Sequence, residues 1–354
     1  MDPEIKPNTG TDKNTALINK VIKVFHKTTG LDIDIEKYAR DKVDAIGDLR
    51  LGDIVIKLAI EAKLQPTKAY TGYLYQKFTR NLPADQGLLV ADYINPVMAE
   101  RLKDHDIWFL DLAGNAYINK LPVYIYIKGN KPAEPAGKEP RPRAFQPMGL
   151  KVIFALLCQP EWINLPYREI ARIADVALGT VGWIIADLKD MGYIVEIDKR
   201  KRRLKKLKKL FDRWVEAYPE QLRPKLLIGR YTTTEPLWWK NTKIKKMPVY
   251  LGGEIAAEYL TNYLTPEVKT VYVREKPQNL QLAFKMRKDP QGEIELFEAF
   301  WNTECDYINK TDKAKETAHP ILIYADLLAT GDPRNIETAE IIYDNTIAGH
   351  LRED

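Results

Sequence analysis

Two groups of residues in this chain carry side chains suited to chemistry on phosphates. The first is Asp44, Glu61 and Lys63, which lie on either side of Gly52–Asp53. If Gly52 and Asp53 form a two-residue hairpin turn, residues whose numbers sum to 105 stand opposite one another. Asp44 then faces Glu61, and Lys42 faces Lys63. Like charges directly opposite destabilise a sheet, and a divalent cation would turn the Asp44–Glu61 repulsion into attraction. Asp44 and Glu61 are thus candidate metal ligands, and Asp44, Glu61 and Lys63 the candidate catalytic set. In metal-assisted phosphodiester hydrolysis, carboxylates hold Mg²⁺ and a lysine orients the attacking water. The competing reading is a solvated sheet face with salt pairs such as Asp48–Lys57.

The second group is the run KRKRRLKKLKK at 199–209, which puts nine positive charges in eleven positions. The whole chain has net charge +5, so without those nine the remainder stands at −4. The positive charge is local and calls for a partner with concentrated negative charge. Lys199, Arg200, Lys201, Arg202, Arg203, Lys205 and Lys206 are the candidate phosphate contacts. Just upstream, Val181, Ile184, Ile185 and Leu188 recur at helical spacing and would face a core. That leaves Thr180, Gly182, Trp183, Asp187 and Lys189 nearer the outer face of the same helix, with Thr180 and Trp183 in the first turn, where a recognition helix touches base edges. Leu204, Leu207, Phe211, Trp214 and Tyr218 also form an apolar stripe, so the basic run doubles as a packing helix.

These residues need elements to hold them. Residues 148–158, 167–174 and 180–191 read as three helices, closed by Gly192 and followed by a strand at 193–197. Helix, helix, turn, helix, strand is the winged helix–turn–helix plan. Upstream, 15–28 reads as a helix, 43–51 and 54–62 as the hairpin, and 67–80 as a helix. A strand at 87–94, a helix at 96–105 and strands at 107–112 and 116–127 follow. That order suggests a mixed sheet with helices on it. Asp44 followed by Glu61-Ala62-Lys63 resembles the pattern of PD-(D/E)xK nuclease cores, and Gln76 falls where some such folds place a further polar residue. The segment 129–147 carries five prolines and no apolar periodicity, and reads as a linker. The last third mixes a helix after Gly252–Gly253, strands near 268–274 and 280–286, and two terminal helices. The final helix opens on Asp332–Pro333, an N-cap followed by proline at the first helical position.

Composition sets the bounds. With 354 residues, 45% hydrophobic and 29% charged, the chain expects two or three globular domains. Its two cysteines, Cys158 and Cys305, exclude a disulfide framework and fit a reducing, cytoplasmic setting. The four histidines are scattered and form no metal motif. The polar N-terminus is no secretory signal, and no stretch approaches a membrane span. No P-loop, GxGxxG or GxSxG motif is present. Gly252-Gly253-Glu254 could offer helix amides to an anion, though Glu254 disfavours phosphate.

Five blocks, taken in order, resemble one known family: LLVADYINPVMAERLKDHDIWFLDLAGNAYI (88–118), ADVALGTVGWIIADLKDMGYI (174–194), LRPKLLIGRY (222–231), LGGEIAAEYLTNYLTPE (251–267) and IYADLLATGDPRNIETAEIIY (323–343). They are similar to the AbiEi family of antitoxins and transcriptional regulators from type IV toxin–antitoxin systems, which act in phage defence. The resemblance implies a winged-helix protein that binds double-stranded operator DNA with inverted repeats and represses its own operon. It also implies a nearby nucleotidyltransferase-type toxin, a functional partner that need not be a physical one. The expected architecture is multi-domain α/β. It comprises a nuclease-like mixed-sheet domain (1–128), the linker (129–147), a winged helix (148–198), a basic amphipathic helix (199–223) and a C-terminal α+β domain (224–354). DNA binding would need no cofactor, and Mg²⁺ enters only if the nuclease-like core is active. The leading expectation is therefore a regulator and not an enzyme; the alternative is a metal-dependent nuclease guided to DNA by the winged helix.

Overall fold

Period-two alternation about Gly52–Asp53 builds the hairpin that organises the first half of the chain. In the computed structural model, strand β2 (Ala45–Leu51) pairs antiparallel with β3 (Ile54–Lys63) in the register Ala45↔Ile60, Asp48↔Lys57 and Leu51↔Ile54. Gly52 takes φ +62, a left-handed conformation that suits glycine in a tight turn. The structure describes residues 9–38, 43–64, 66, 70–79, 82, 84–132, 142–198, 201–244, 247–274, 277–302 and 317–351.

The chain divides into two compact units, 1–139 and 140–354. The first is a seven-stranded sheet in which the strands lie in chain order, from β1 (Asp32–Tyr38) to β7 (Val123–Ile127). Helix α1 (Thr9–Thr29) precedes it. Strands β3, β4 (Gln86–Ala91) and β5 (Trp108–Asp111) run parallel to one another, and the other neighbours are antiparallel. Parallel neighbours need crossovers, and α2 (Tyr70–Thr79) and α3 (Pro96–Asp104) supply them. Leu88, Leu89, Val90, Phe109 and Leu110 are all buried, as strands covered on both faces should be. The segment at 116–127 is two strands, β6 (Ala116–Lys120) and β7, because Leu121–Pro122 breaks the run. Strand β1 is an addition to the sequence reading. It lies at the sheet edge with mostly exposed side chains, and its alternation is limited to Ile33 and Ile35, too short a signal to mark a strand.

In the second unit, α4 (Pro147–Cys158) is apolar except for Lys151 and buried over Gly149–Leu150 and Val152–Cys158. Around it lie α5 (Tyr167–Ala174), α6 (Leu178–Asp190) and α7 (Leu207–Gln221). Between α6 and α7 runs a two-stranded hairpin, β8 (Ile194–Glu196) and β9 (Arg202–Leu204), paired Ile194↔Leu204 and Glu196↔Arg202. The basic run is therefore split. Arg202–Leu204 is strand, Lys206 takes a left-handed conformation, and the helix starts only at Leu207. Buried Leu204 pairs into the hairpin, while buried Leu207, Leu210 and Phe211 begin the packing face of α7. Trp214 on α7 donates its indole N–H to the Leu150 carbonyl at 2.9 Å, stacked between Phe154 and Tyr218.

The C-terminal part follows α8 (Arg223–Leu226). It is a five-stranded sheet in the order β11 (Val249–Gly252), β12 (Lys269–Val273), β14 (Ile294–Glu298), β10 (Leu227–Thr232) and β13 (Arg287–Lys288). Helices α9 (Gly253–Thr261), α11 (Pro320–Thr330) and α12 (Pro333–Ile342) also belong to it. Asp332 caps α12 by accepting the Arg334 N–H at 2.9 Å. The expected strand at 280–286 is instead helix α10 (Gln278–Ala283) and a turn. Short apolar runs do not separate the two states by periodicity, and here Leu280 is buried while Leu282 lies in solvent.

Candidate nucleic-acid interface

The face built by α5, α6 and the β8–β9 hairpin gathers most of the candidate DNA-contacting residues. Helix α6 buries Val181, Ile184, Ile185 and Leu188, the stripe that its helical spacing predicts. This turns Trp183 outward, with 61% of its surface exposed. Thr180 is half-buried in the first turn, its backbone N–H bonded to the Ala177 carbonyl at 3.0 Å. Lys189 reaches the hairpin and meets Glu196 at 3.0 Å, tying the end of α6 to β8. Both side chains are about half exposed, so this pair contributes little stability.

On the hairpin, Lys201, Arg203, Lys205 and Lys206 are exposed. Arg202 is positioned more tightly. Its backbone N–H donates to Asn164 Oδ1 at 2.7 Å, and its guanidinium donates to the Tyr167 hydroxyl at 3.1 Å while lying over the Tyr167 ring. The sequence did not single out Asn164 and Tyr167, because their contacts to Arg202 span more than thirty residues. Lys199 and Arg200 lie outside the described residues. Beyond the hairpin, Lys208 pairs with Asp212 one helical turn on, so part of the basic run is neutralised within α7.

A further cation joins this face from upstream. A short 3₁₀ turn, Arg143–Phe145, packs on α6. Asp187 Oδ2 accepts the Ala144 N–H at 3.1 Å, and the Arg143 guanidinium lies 4.7 Å from the centre of the Trp183 ring. The Pro-rich composition of that segment signals a linker and gives no sign of this docking.

In the first unit, the hairpin brings Asp44 and Glu61 together as its register requires, and every carboxylate oxygen of the pair has a protein donor. Glu61 accepts from Lys77 Nζ at 2.6 Å and from the Tyr70 hydroxyl at 3.3 Å. Asp44 accepts from Asn14 Nδ2 at 3.0 Å and from the Ala62 N–H at 2.8 Å. Lys63 lies over the Tyr70 ring, and Gln76 is buried. Burial pushes the Glu61 carboxyl above its ordinary range and Asp44 adds to this, while Lys77 and Tyr70 oppose it. As placed, Lys77 supplies the positive charge beside this pair. Among the described residues no cluster of three or more His, Cys, Asp or Glu is arranged to hold a metal ion.

At the start of α9, Gly253 is left-handed and Glu254 is buried. The Glu254 carboxylate accepts the N–H groups of Glu267 and Val268 and is bonded by Arg334 and Asn335. The helix start considered for an anion thus holds a protein carboxylate of its own.

The stretch from the hairpin to the last helix has a known counterpart. Residues 203–348 match the AbiEi family. The family consists of transcriptional regulators that are antitoxins of type IV toxin–antitoxin systems. The AbiEi match begins at Arg203 on β9 and takes in α7, the five-stranded sheet and the C-terminal helices. No curated protein and no solved structure matches the chain. Among the described residues, no helix is long and apolar enough to cross a membrane.

Proposed function

We propose that this protein is an AbiEi-type antitoxin and transcriptional regulator whose residues 147–206 form a winged helix–turn–helix that binds duplex DNA. In this reading α6 is the recognition helix and β8–β9 the wing. The observation that carries it is the cationic hairpin: Lys201, Arg203, Lys205 and Lys206 are exposed and Arg202 is held on Tyr167, following a helix that exposes a tryptophan. Phosphate contacts of this kind fix orientation on the duplex, while the helix reads sequence. The AbiEi match supports the regulatory role; the proposal adds repression of the protein's own operon, an operator with inverted repeats, and a nucleotidyltransferase-type toxin opposed by the antitoxin.

The test is a titration of the full chain with its own upstream DNA and with random duplex, over a series of salt concentrations. Tighter binding to the upstream DNA is expected. The logarithm of affinity should fall by about 0.9 per phosphate contact for each unit of log salt. Reversing charge at Arg202 and Arg203 should weaken binding to both duplexes and flatten that slope. Equal affinity for both duplexes would refute operator recognition, and an unchanged slope in the charge-reversed variant would refute the wing as the phosphate contact.

A second reading makes the first unit a DNA nuclease. The observation favouring it is the meeting of Asp44 and Glu61 beside Lys63 at the end of β3. Nicking of plasmid DNA that needs Mg²⁺ or Mn²⁺ and is lost in Glu61→Ala is the outcome it requires. Equal cleavage by wild type and variant would end it.

A further inference from the structure

Helix α6 is poor in the groups that read bases. Its exposed residues include Leu178, Gly179, Trp183, Ala186 and Asp190. Its one lysine near this face, Lys189, is paired with Glu196. A helix of this composition would bring no guanidinium to a guanine edge. It would also bring carboxylates toward phosphates. The chain supplies the missing group from outside the helix.

The segment Pro142–Phe145 is fixed at three points. Phe145 is buried beneath the Arg213 guanidinium, which lies 3.9 Å from its ring centre. The Ala144 N–H is held by Asp187, so that carboxylate serves the docked turn and is not left facing a duplex. Gly149 makes room for the turn, since a Cβ there would lie 2.3 Å from the Ala144 carbonyl oxygen and 2.5 Å from that of Arg143. Arg143 itself remains exposed and rests on the indole of Trp183, which is also mostly exposed. The contact restrains a long, exposed side chain at the outer face of α6.

We propose that Arg143 reads a base pair of duplex DNA, delivered to the outer face of α6 by the docked Pro142–Phe145 arm and held there by Trp183. This rests on the reading of residues 147–206 as the DNA-binding module. An arginine fork matches the O6 and N7 acceptors of guanine in the major groove, so the pair recognised is G·C. Lysine at the same place would keep the charge and lose the fork.

The experiment selects binding sites with the full chain from a pool of duplexes with randomised centres. Wild type should enrich a motif that includes one strongly preferred G·C pair per bound copy. Arg143→Ala should lose the preference at that pair and bind the wild-type motif about tenfold to a hundredfold more weakly. Arg143→Lys should lose the preference as well. Affinity of Arg143→Ala for the unselected pool should stay within a few-fold of wild type, because the wing still holds phosphates. The same motif from Arg143→Ala, or no motif from wild type, would overturn the proposal. A parallel variant with Arg202→Glu and Arg203→Glu separates the two claims. Loss of pool binding in that variant keeps the DNA-binding reading even where the Arg143 proposal fails, whereas retained pool binding removes the reading and the proposal together. Matching thermal unfolding midpoints for wild type and Arg143→Ala confirm that the comparison is between folded proteins.

Discussion

The Lys77 ammonium meets the Glu61 carboxylate at 2.6 Å, with both side chains largely withdrawn from solvent. Lys77 does here what an external cation would do, by compensating a carboxylate forced against Asp44. Removing one partner of such a pair leaves an unpaired charge in a poorly solvated place. Lys77→Met should therefore destabilise the protein by about 3 kcal/mol at neutral pH. The sign of its pH dependence follows from the raised Glu61 pKa. An acid that resists ionisation when folded costs nothing while protonated, and the cost grows as pH rises through its range. Urea unfolding should thus show a larger deficit for Lys77→Met at about pH 8 than at about pH 5. The double variant Glu61→Gln, Lys77→Met should recover most of it. A deficit independent of pH would show that the lysine acts only by packing.

Gly149 and Gly182 form a contrasting pair. At Gly149 an added methyl would collide with the backbone carbonyls of Ala144 and Arg143, which cannot rotate aside. Gly149→Ala should cost about 2 kcal/mol despite alanine's better helix propensity. It should also lift the Arg143 turn from α6. At Gly182, inside α6, the nearest atom to an added Cβ is a Tyr167 ring carbon at 3.8 Å, an ordinary contact. Gly182→Ala should therefore stabilise by about 0.5–1 kcal/mol. Paired thermal melts check both, and shifts of the same sign would contradict the packing described.

His319 supplies an acid-sensitive point. Its Nδ1 accepts the Ile321 N–H at the start of α11, and its ring stands edge-on to Phe154. Burial, with a smaller push from His350, lowers its pKa to about 3. The unfolded chain then binds a proton below about pH 6.5 that the folded chain refuses. Stability contributed by the neutral ring is present above that pH and is lost as pH falls toward the folded value. The loss from this group between about pH 7 and pH 5 is about 2 kcal/mol. His319→Asn keeps an acceptor at the helix start and removes the titration. Its urea midpoint should consequently fall less over that interval than the wild-type midpoint does. Parallel declines would assign the acid sensitivity elsewhere.

How far the sequence could be read depended on whether a contact is local. The Gly52–Asp53 turn and period-two alternation fixed the pairing Asp48↔Lys57 and the meeting of Asp44 with Glu61. Helical spacing likewise identified the buried stripe of α6 and left Trp183 outside. Contacts between distant segments left no such trace. Nothing in the spacing of Glu61 and Lys77 announces their ion pair, because it depends on where α2 crosses the sheet. Nor does the prolyl composition around Arg143 reveal that the turn docks on Asp187. The basic run was visible as charge, but its division between β9 and α7 turns on Lys206 adopting a left-handed conformation. Charge counting carries no information about that backbone choice.

The buried carboxylate of Asp326 offers the sharpest stability test in the AbiEi-matching part. It accepts hydrogen bonds from the Tyr218 hydroxyl at 3.1 Å, the Tyr272 hydroxyl at 2.7 Å and Arg223 Nε at 3.1 Å. These residues come from α7, β12 and α8, so one side chain on α11 ties together four elements. Arg223 keeps a second partner, Glu295, at 2.8 Å. Asparagine is nearly the same size as aspartate but offers a single acceptor oxygen, and its amide would point protons at groups that are themselves donors. Asp326→Asn should cost about 3–5 kcal/mol, since it leaves buried donors unsatisfied and a largely buried guanidinium half-paired. Tyr272→Phe removes one donor and leaves the carboxylate its other partners, so its cost should be about 1–2 kcal/mol. Equilibrium unfolding of the two variants distinguishes a cooperative polar knot from independent hydrogen bonds. If Asp326→Asn cost no more than Tyr272→Phe, the carboxylate would not be the element that holds α7, α8 and β12 to α11.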